Sequence, residues 1–235
     1  MLYLKKHVFS CLANSHLVLM DAKNDQYHVI ERAELQGLIG VLSGLEPLAY
    51  YIRPIGSERP SSSTAEVVKW LLDNDLATDQ AALGCPAVLI HQRKRQELER
   101  DLCSELDNRI CLRYLPVACL ALISAVVAKY VSSLERTLAR LSQKKLNDQK
   151  SVPLARAIEL TKIFHGLRIL IPIKRNCYLD SLALLRFLRF YKINAELVFG
   201  IAIDPFNAHC WVEYDGHYLN DRPSNTLEMA TIFAA

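Results

Sequence analysis

The sequence predicts an α+β fold, and two observations predict it. Short strand candidates precede helices in roughly the first 80 residues, and near the other end an apolar helix is followed by strands that read as an antiparallel sheet. The chain has 235 residues, enough for one large domain or two small ones. Apolar residues make up 51% and charged residues 23%, which supports a real core and argues against disorder.

The first unit is read over residues 1–80. Residues 3–9, 17–20 and 27–30 are strand candidates, and the polar run Asp21-Ala22-Lys23-Asn24-Asp25 supplies a turn. Leu35, Leu38, Ile39 and Leu42 then recur at helical spacing. Gly44, Pro47, Pro54, Gly56 and Pro60 mark a long irregular connection. Ser63-Thr64-Ala65-Glu66 is a capping-box pattern, opening a helix that turns Val68, Leu71 and Leu72 inward. Strands followed by helices in so short a span suggest a small winged-helix-like module. The same pattern also suits the first layer of one larger domain.

The middle of the chain reads as helical. Residues 92–107 are charged, and residues 110–141 are long and mostly apolar before turning polar. Within them, residues 114–128 are uncharged but flanked by Arg113 and Lys129, shorter than the roughly 18 residues of a spanning helix. A buried core helix and no membrane insertion are expected. Residues 143–150 form a polar linker. Pro153 suits the first turn of a further helix reaching about His165, with Leu154, Ile158, Thr161 and Phe164 on its buried face.

Composition excludes some function classes. A net charge of +3 offers no electrostatic case for nucleic acid. The start Met1-Leu2-Tyr3-Leu4-Lys5-Lys6-His7 is broken by charge, so no signal peptide and a cytoplasmic location are expected. Seven cysteines, an odd number without a Cys-x-x-Cys pair, suit free thiols in a reducing compartment. No quartet has zinc-finger spacing, so no metal or other cofactor is expected. Cys177 aside, the cysteines read as small hydrophobes.

Cys177 stands apart because of what surrounds it. Asn176 is a plausible N-cap, and Cys177 falls in the first turn of a helix over residues 177–191. Leu or Phe occupies most sides of that helix, with Arg186 and Arg189 as a narrow polar stripe, so neighbours should bury it on several faces. Residues 195–203 read as a central strand. Asp204-Pro205-Phe206-Asn207 is a turn, and residues 209–213 and 218–221 form a hairpin around Asp215-Gly216. A thiol nucleophile needs a base, and the base needs an orienting group. Cys177, His209 and Asp221 supply them in that order. A helix N-terminus and an imidazolium both lower a thiol pKa, and Asp221 would fix the tautomer of His209. A core thiol, a strand histidine and a turn aspartate fit the same three residues.

The surrounding motifs add a resemblance. Cys177 with Ser181-Leu182-Ala183-Leu184, then Pro205-Phe206-Asn207-Ala208-His209-Cys210-Trp211-Val212-Glu213 and Leu219-Asn220-Asp221, resemble the transglutaminase-like cysteine peptidases of lasso-peptide biosynthesis. The resemblance covers residues 88–235, with Tyr178 and Cys210 where Leu and Ala would be usual. It implies a papain/transglutaminase-like domain with a central helix and antiparallel sheet, and a Cys177-His209-Asp221 triad. Residues 1–80 resemble the recognition element that binds precursor peptides, here fused to the peptidase. The leader of the precursor would then add as a strand beside Tyr27, Val29 and Ile30 and pack against Val68, Leu71 and Leu72. The implied reaction is cleavage of leader from core peptide. The implied partner is a separate ATP-dependent, asparagine-synthetase-like lasso cyclase.

Three other readings compete. Acyl transfer to an amine uses the same residues. A non-catalytic leader carrier would not need them. A winged-helix DNA binder lacks support from charge. A catalytic Asp221 also constrains the hairpin. A two-residue turn at Asp215-Gly216 would set His209 and Asp221 on opposite faces, because side chains alternate. A three-residue loop, Tyr214-Asp215-Gly216, would pair Glu213 with His217 and His209 with Asp221. The expectation is therefore the three-residue loop, or a later bulge of equal effect, with His209 and Asp221 on a shared face.

Overall fold

The computed structural model describes residues 1–45, 63–89, 110–143, 152–221, 226 and 229–235. The chain divides into two compact units. One is Met1–Gln92 with Ile203–Pro205 and Ala230–Ile232, and the other is Arg93–Ala202 with Phe206–Met229 and Phe233–Ala235.

In the first unit, β1 (Tyr3–Lys5) and β2 (Val8–Ala13) replace the single strand expected over residues 3–9. Lys6-His7 breaks that run, and the two pieces join different sheets. β2, β3 (His16–Asp21) and β4 (Gln26–Ile30) form an antiparallel sheet in the order β2-β3-β4. The Asp21 carboxylate closes the β3–β4 turn by accepting from the Lys23 and Asn24 amides. This is the Asx-turn chemistry that favours aspartate there. α1 (Arg32–Leu38) follows, and α2 (Thr64–Asp73) begins at a complete capping box between Ser63 and Glu66. The two-residue strands β5 (Ala77–Thr78) and β6 (Gly84–Cys85) flank β1 in a second small sheet. Leu4, Leu17, Leu19, Ile30, Leu35, Leu38 and Leu71 are among the side chains of one shared core.

The second unit is built around a helix. The long apolar stretch forms a 3₁₀ turn (Leu112–Tyr114), α3 (Leu115–Val131) and, after a break at Ser132, α4 (Leu134–Gln143). α5 (Leu154–Ile169) has Pro153 at its N-cap, one residue before the first turn expected for it, and runs past His165 to Ile169. Its buried residues include Ala157, Leu160, Thr161 and Phe164. α6 (Cys177–Phe190) packs against α3, α5 and β8 (Phe206–Tyr214). It buries Leu182, Leu184, Leu185 and Phe187 on different sides, and each such side chain contributes about 1.5–3 kcal/mol by leaving water. α3 meets its neighbours through Ala118, Ala121, Leu122, Ala125 and Ala128.

The opposite face of α3 differs from the expected core helix. Leu120, Ile123, Val127, Tyr130 and Val131 are exposed. The helical stretch Leu112–Val131 has 20 residues, because the helix runs through both flanking charges. By length and composition alone it could cross a membrane.

β7 (Glu196–Ile203), β8, β9 (His217–Tyr218) and β10 (Ala230–Ala234) form a sheet in the order β10-β7-β8-β9. β7 is an interior strand, as its unbroken apolar run suggests. Gly200 on β7 lets the Trp211 indole lie against the backbone, where a Cβ would collide with the ring. The charged stretch 92–107, nearly all of the irregular connection and nearly all of the linker before Pro153 lie outside the described residues.

The hairpin corrects the expected loop. Tyr214 pairs with His217 and Glu213 with Tyr218, so the turn has two residues, Asp215 and Gly216. Both have positive φ, 51° and 74°, as a type I′ turn requires. β9 is also shorter than the strand expected over residues 218–221. The local Asp-Gly signal decides the turn, and the chain satisfies the site by another route, described below.

Candidate functional site

Cys177 is the first residue of α6 and is exposed. Asn176 caps the helix, its side-chain oxygen accepting from the Leu179 amide at 3.2 Å. The thiol therefore sits where the unpaired amides and the helix dipole favour negative charge. His209 and Cys210 on β8 both hydrogen-bond it. The Cys177 pKa is lowered to about 4, first by a hydrogen bond from the Cys210 side chain and then by one from His209, with burial opposing both.

His209 is raised to about 9, first by its hydrogen bond to Asp221 and then by Cys177. His209 Nε2 is bonded to Asp221 Oδ2, which leaves Nδ1 for the thiol. The two shifts describe one object, a thiolate–imidazolium pair buttressed by a carboxylate. The His209 ring also stacks on Trp211, with centroids 6.1 Å apart. Trp211 Nε1 donates to the buried Glu213 at 2.6 Å, so His209, Trp211 and Glu213 follow the period-2 spacing of one strand face.

The ladder fails where Asp221 is needed. The Leu219 amide donates to the Val212 carbonyl at 2.9 Å. A regular pair would return a bond from the Val212 amide to the Leu219 carbonyl. That amide instead donates to the Asn220 side chain at 2.7 Å. β9 ends there, and the chain carries Asp221 to His209. The two residues meet, but not as a cross-strand pair.

Below the thiol, Arg168 of α5 is 3% exposed. Its Nε donates to Asp180 in the first turn of α6 at 2.8 Å, and its other nitrogens donate to the Ile171 and Ile173 carbonyls. This fork holds the segment leading into Asn176 and Cys177 and neutralises the carboxylate nearest the thiolate on its own helix. Among the described residues, no group of His, Cys, Asp and Glu is arranged to hold a metal ion.

Sequence reasoning missed Cys210, read as a small hydrophobe. Burial raises its own pKa well above the usual thiol value, so it remains a donor beside the thiolate. Its signal was adjacency to His209. Ser181, Asn220 and Arg168 were missed as well. The lone hydroxyl in the buried run after Cys177 was the readable sign of the first.

The first unit holds a separate feature. A groove of about 580 Å³ is lined by Val29, Ile30, Glu34, Glu66, Val67 and Trp70. Among the described residues β4 is an edge strand of its sheet. Val29 and Trp70 are exposed on the groove, and Trp70 meets His28 edge-on at 5.2 Å. Ile30 is both in the core and on the groove wall. Leu71 is fully buried, Val68 packs against the core, Leu72 is exposed and Tyr27 is half-buried; none of these four lines the groove.

Residues 119–234 match the model of the transglutaminase-like superfamily. The microcin J25-processing protein McjB of Escherichia coli is 39% identical over 59 residues, 25% of this chain. The match spans 28% of that relative's length. No solved structure matches the chain. The matched stretch lies mostly within the second unit.

Proposed function

We propose that this protein is a cysteine peptidase that binds the leader of a lasso precursor peptide and cleaves it from the core. The observation that carries the reading is the convergence of Cys177, His209 and Asp221 at the N-terminus of α6. The transglutaminase-like match and the partial likeness to a microcin J25-processing protein support the same class of chemistry and substrate.

The Cys177 thiolate attacks the carbonyl carbon at the leader–core junction. The Cys177 backbone N–H, at the helix start, is the oxyanion donor assigned to the carbonyl oxygen. The His209 imidazolium gives its Nδ1 proton to the departing amine, leaving a thioester. Water then attacks the thioester, and His209 takes its proton. The leader leaves as an acid, and the thiolate is restored. Asp221 holds the imidazole and stabilises its charged form. Cys210 donates its S–H to the resting thiolate.

The groove beside β4 is the assigned leader site in a winged-helix-like module. An extended peptide can add to the strand edge, with Val29, Val67 and Trp70 as apolar contacts. Glu34 and Glu66 line the same groove and favour a basic leader side chain. The freed core amine would pass to the ATP-dependent cyclase as partner.

The test is incubation of the full chain with the short precursor encoded beside its gene and its cyclase, followed by weighing the products. Leader and linear core whose masses sum to the precursor plus water, or leader and cyclised core whose masses sum to the precursor, support the peptidase. Addition of an amine assigns acyl transfer. An intact precursor removes both.

A further inference from the structure

We propose that Ser181 and Asn220 are a positioning pair that sets the Cys177 helix against the strand and loop carrying His209 and Asp221. Each contact falls beside a member of the site. Ser181 lies one helical turn beyond Cys177 and is fully buried. Its hydroxyl donates to the Cys210 carbonyl at 3.1 Å, on the residue next to His209. Asn220 precedes Asp221, and its Nδ2 donates to the Ser181 oxygen at 2.8 Å. Its Oδ1 takes the Val212 amide at 2.7 Å.

Helix α6 otherwise meets β8 chiefly through apolar side chains, and apolar contact is non-directional. It keeps the two elements together without fixing their slide. A hydroxyl that donates and accepts at once, inside the interface, does fix it. A buried hydroxyl also costs desolvation that alanine would avoid. Its return in this arrangement is geometric, because three elements meet at one oxygen.

The pair touches no reacting atom. Its effect passes through the separation of Cys177 from His209. The charged and titratable groups that bear on the thiol are His209 and Cys210 from β8, with Asp221 acting through His209, while Asp180 on the same helix is paired with Arg168 of α5. Only the β8 and loop groups move if the tie is cut.

The kinetic part of the test rests on the peptidase reading, while thiol alkylation needs no substrate. Full-length Ser181→Ala, Asn220→Ala and the double variant are alkylated with iodoacetamide across pH, and the Cys177 peptide is followed by mass. The midpoint should rise in both single variants from the low value of the intact protein toward that of an ordinary thiol. On precursor, kcat should fall on the order of a hundredfold, as for a displacement near 1 Å, with KM within about twofold. The double variant should fall no further than the worse single, since the groups act as one unit. If Ser181→Ala lacks a cooperative melt, Asn220→Ala, at a half-buried site outside the helix, decides by the same readouts. Unchanged midpoint and kcat in the folded variants overturn the pair. An intact precursor with the alkylation shift present removes the substrate reading and leaves the pair standing.

Discussion

The Val212 amide donates to the side-chain oxygen of Asn220, where a regular hairpin would present the Leu219 carbonyl. That one exchange ends β9 and frees Asp221 from strand parity. With the two-residue turn at Asp215-Gly216, a continued ladder would have paired Cys210 with Asp221 and pointed the carboxylate away from His209. The side chain of Asn220 satisfies the strand amide, so the backbone can leave without an unpaired donor.

Cys177→Ala should abolish precursor cleavage, a loss on the order of a thousandfold or more, and leave leader affinity unchanged. Mass spectrometry of the products and titration of labelled leader check the two halves. Residual cleavage of a few per cent would take Cys177 out of the mechanism.

The pH profile of kcat/KM should be bell-shaped. Below about 4 the Cys177 thiolate is protonated and the nucleophile is lost. Above about 9 His209 loses the proton that it gives to the leaving amine. The two limbs belong to the pair rather than to single residues. In Asp221→Asn the largest support for the imidazolium is gone, so the basic limb should move to lower pH. Initial rates at fixed ionic strength would show it, and an unmoved basic limb would deny Asp221 that role.

Arg168→Met should destabilise the protein by about 3 kcal/mol, because it strands Asp180 and two carbonyls. Arg168→Lys should recover little, since one ammonium cannot replace the planar fork. Thermal melts give the first effect. The midpoint of Cys177 alkylation should also rise, because the Asp180 charge is no longer neutralised.

Trp70→Ala should weaken leader binding by roughly tenfold to a hundredfold, as expected for a large aromatic contact. Leu72→Ala, at an exposed residue off the groove, should change it little. Fluorescence titration into the full-length Cys177→Ala chain compares them without cleavage. Equal affinities would place the leader elsewhere.

What the sequence determined by itself is local. The Asn176 cap places Cys177 at a helix start because the bond spans three residues. The Ser63–Glu66 box starts α2 for the same reason. The Asp215-Gly216 turn follows its own dipeptide rule, against the functional argument for a longer loop. Tertiary structure decided what depends on two elements meeting. Cys210 is a small hydrophobe until β8 lies against the start of α6. Ser181 and Asn220 are motif residues without an assigned role until one oxygen joins helix, strand and loop. The strand period alone predicts that His209 and Asp221 share a face only with an odd loop. Their contact instead comes from a side chain that ends the ladder, and no periodicity records where a ladder stops.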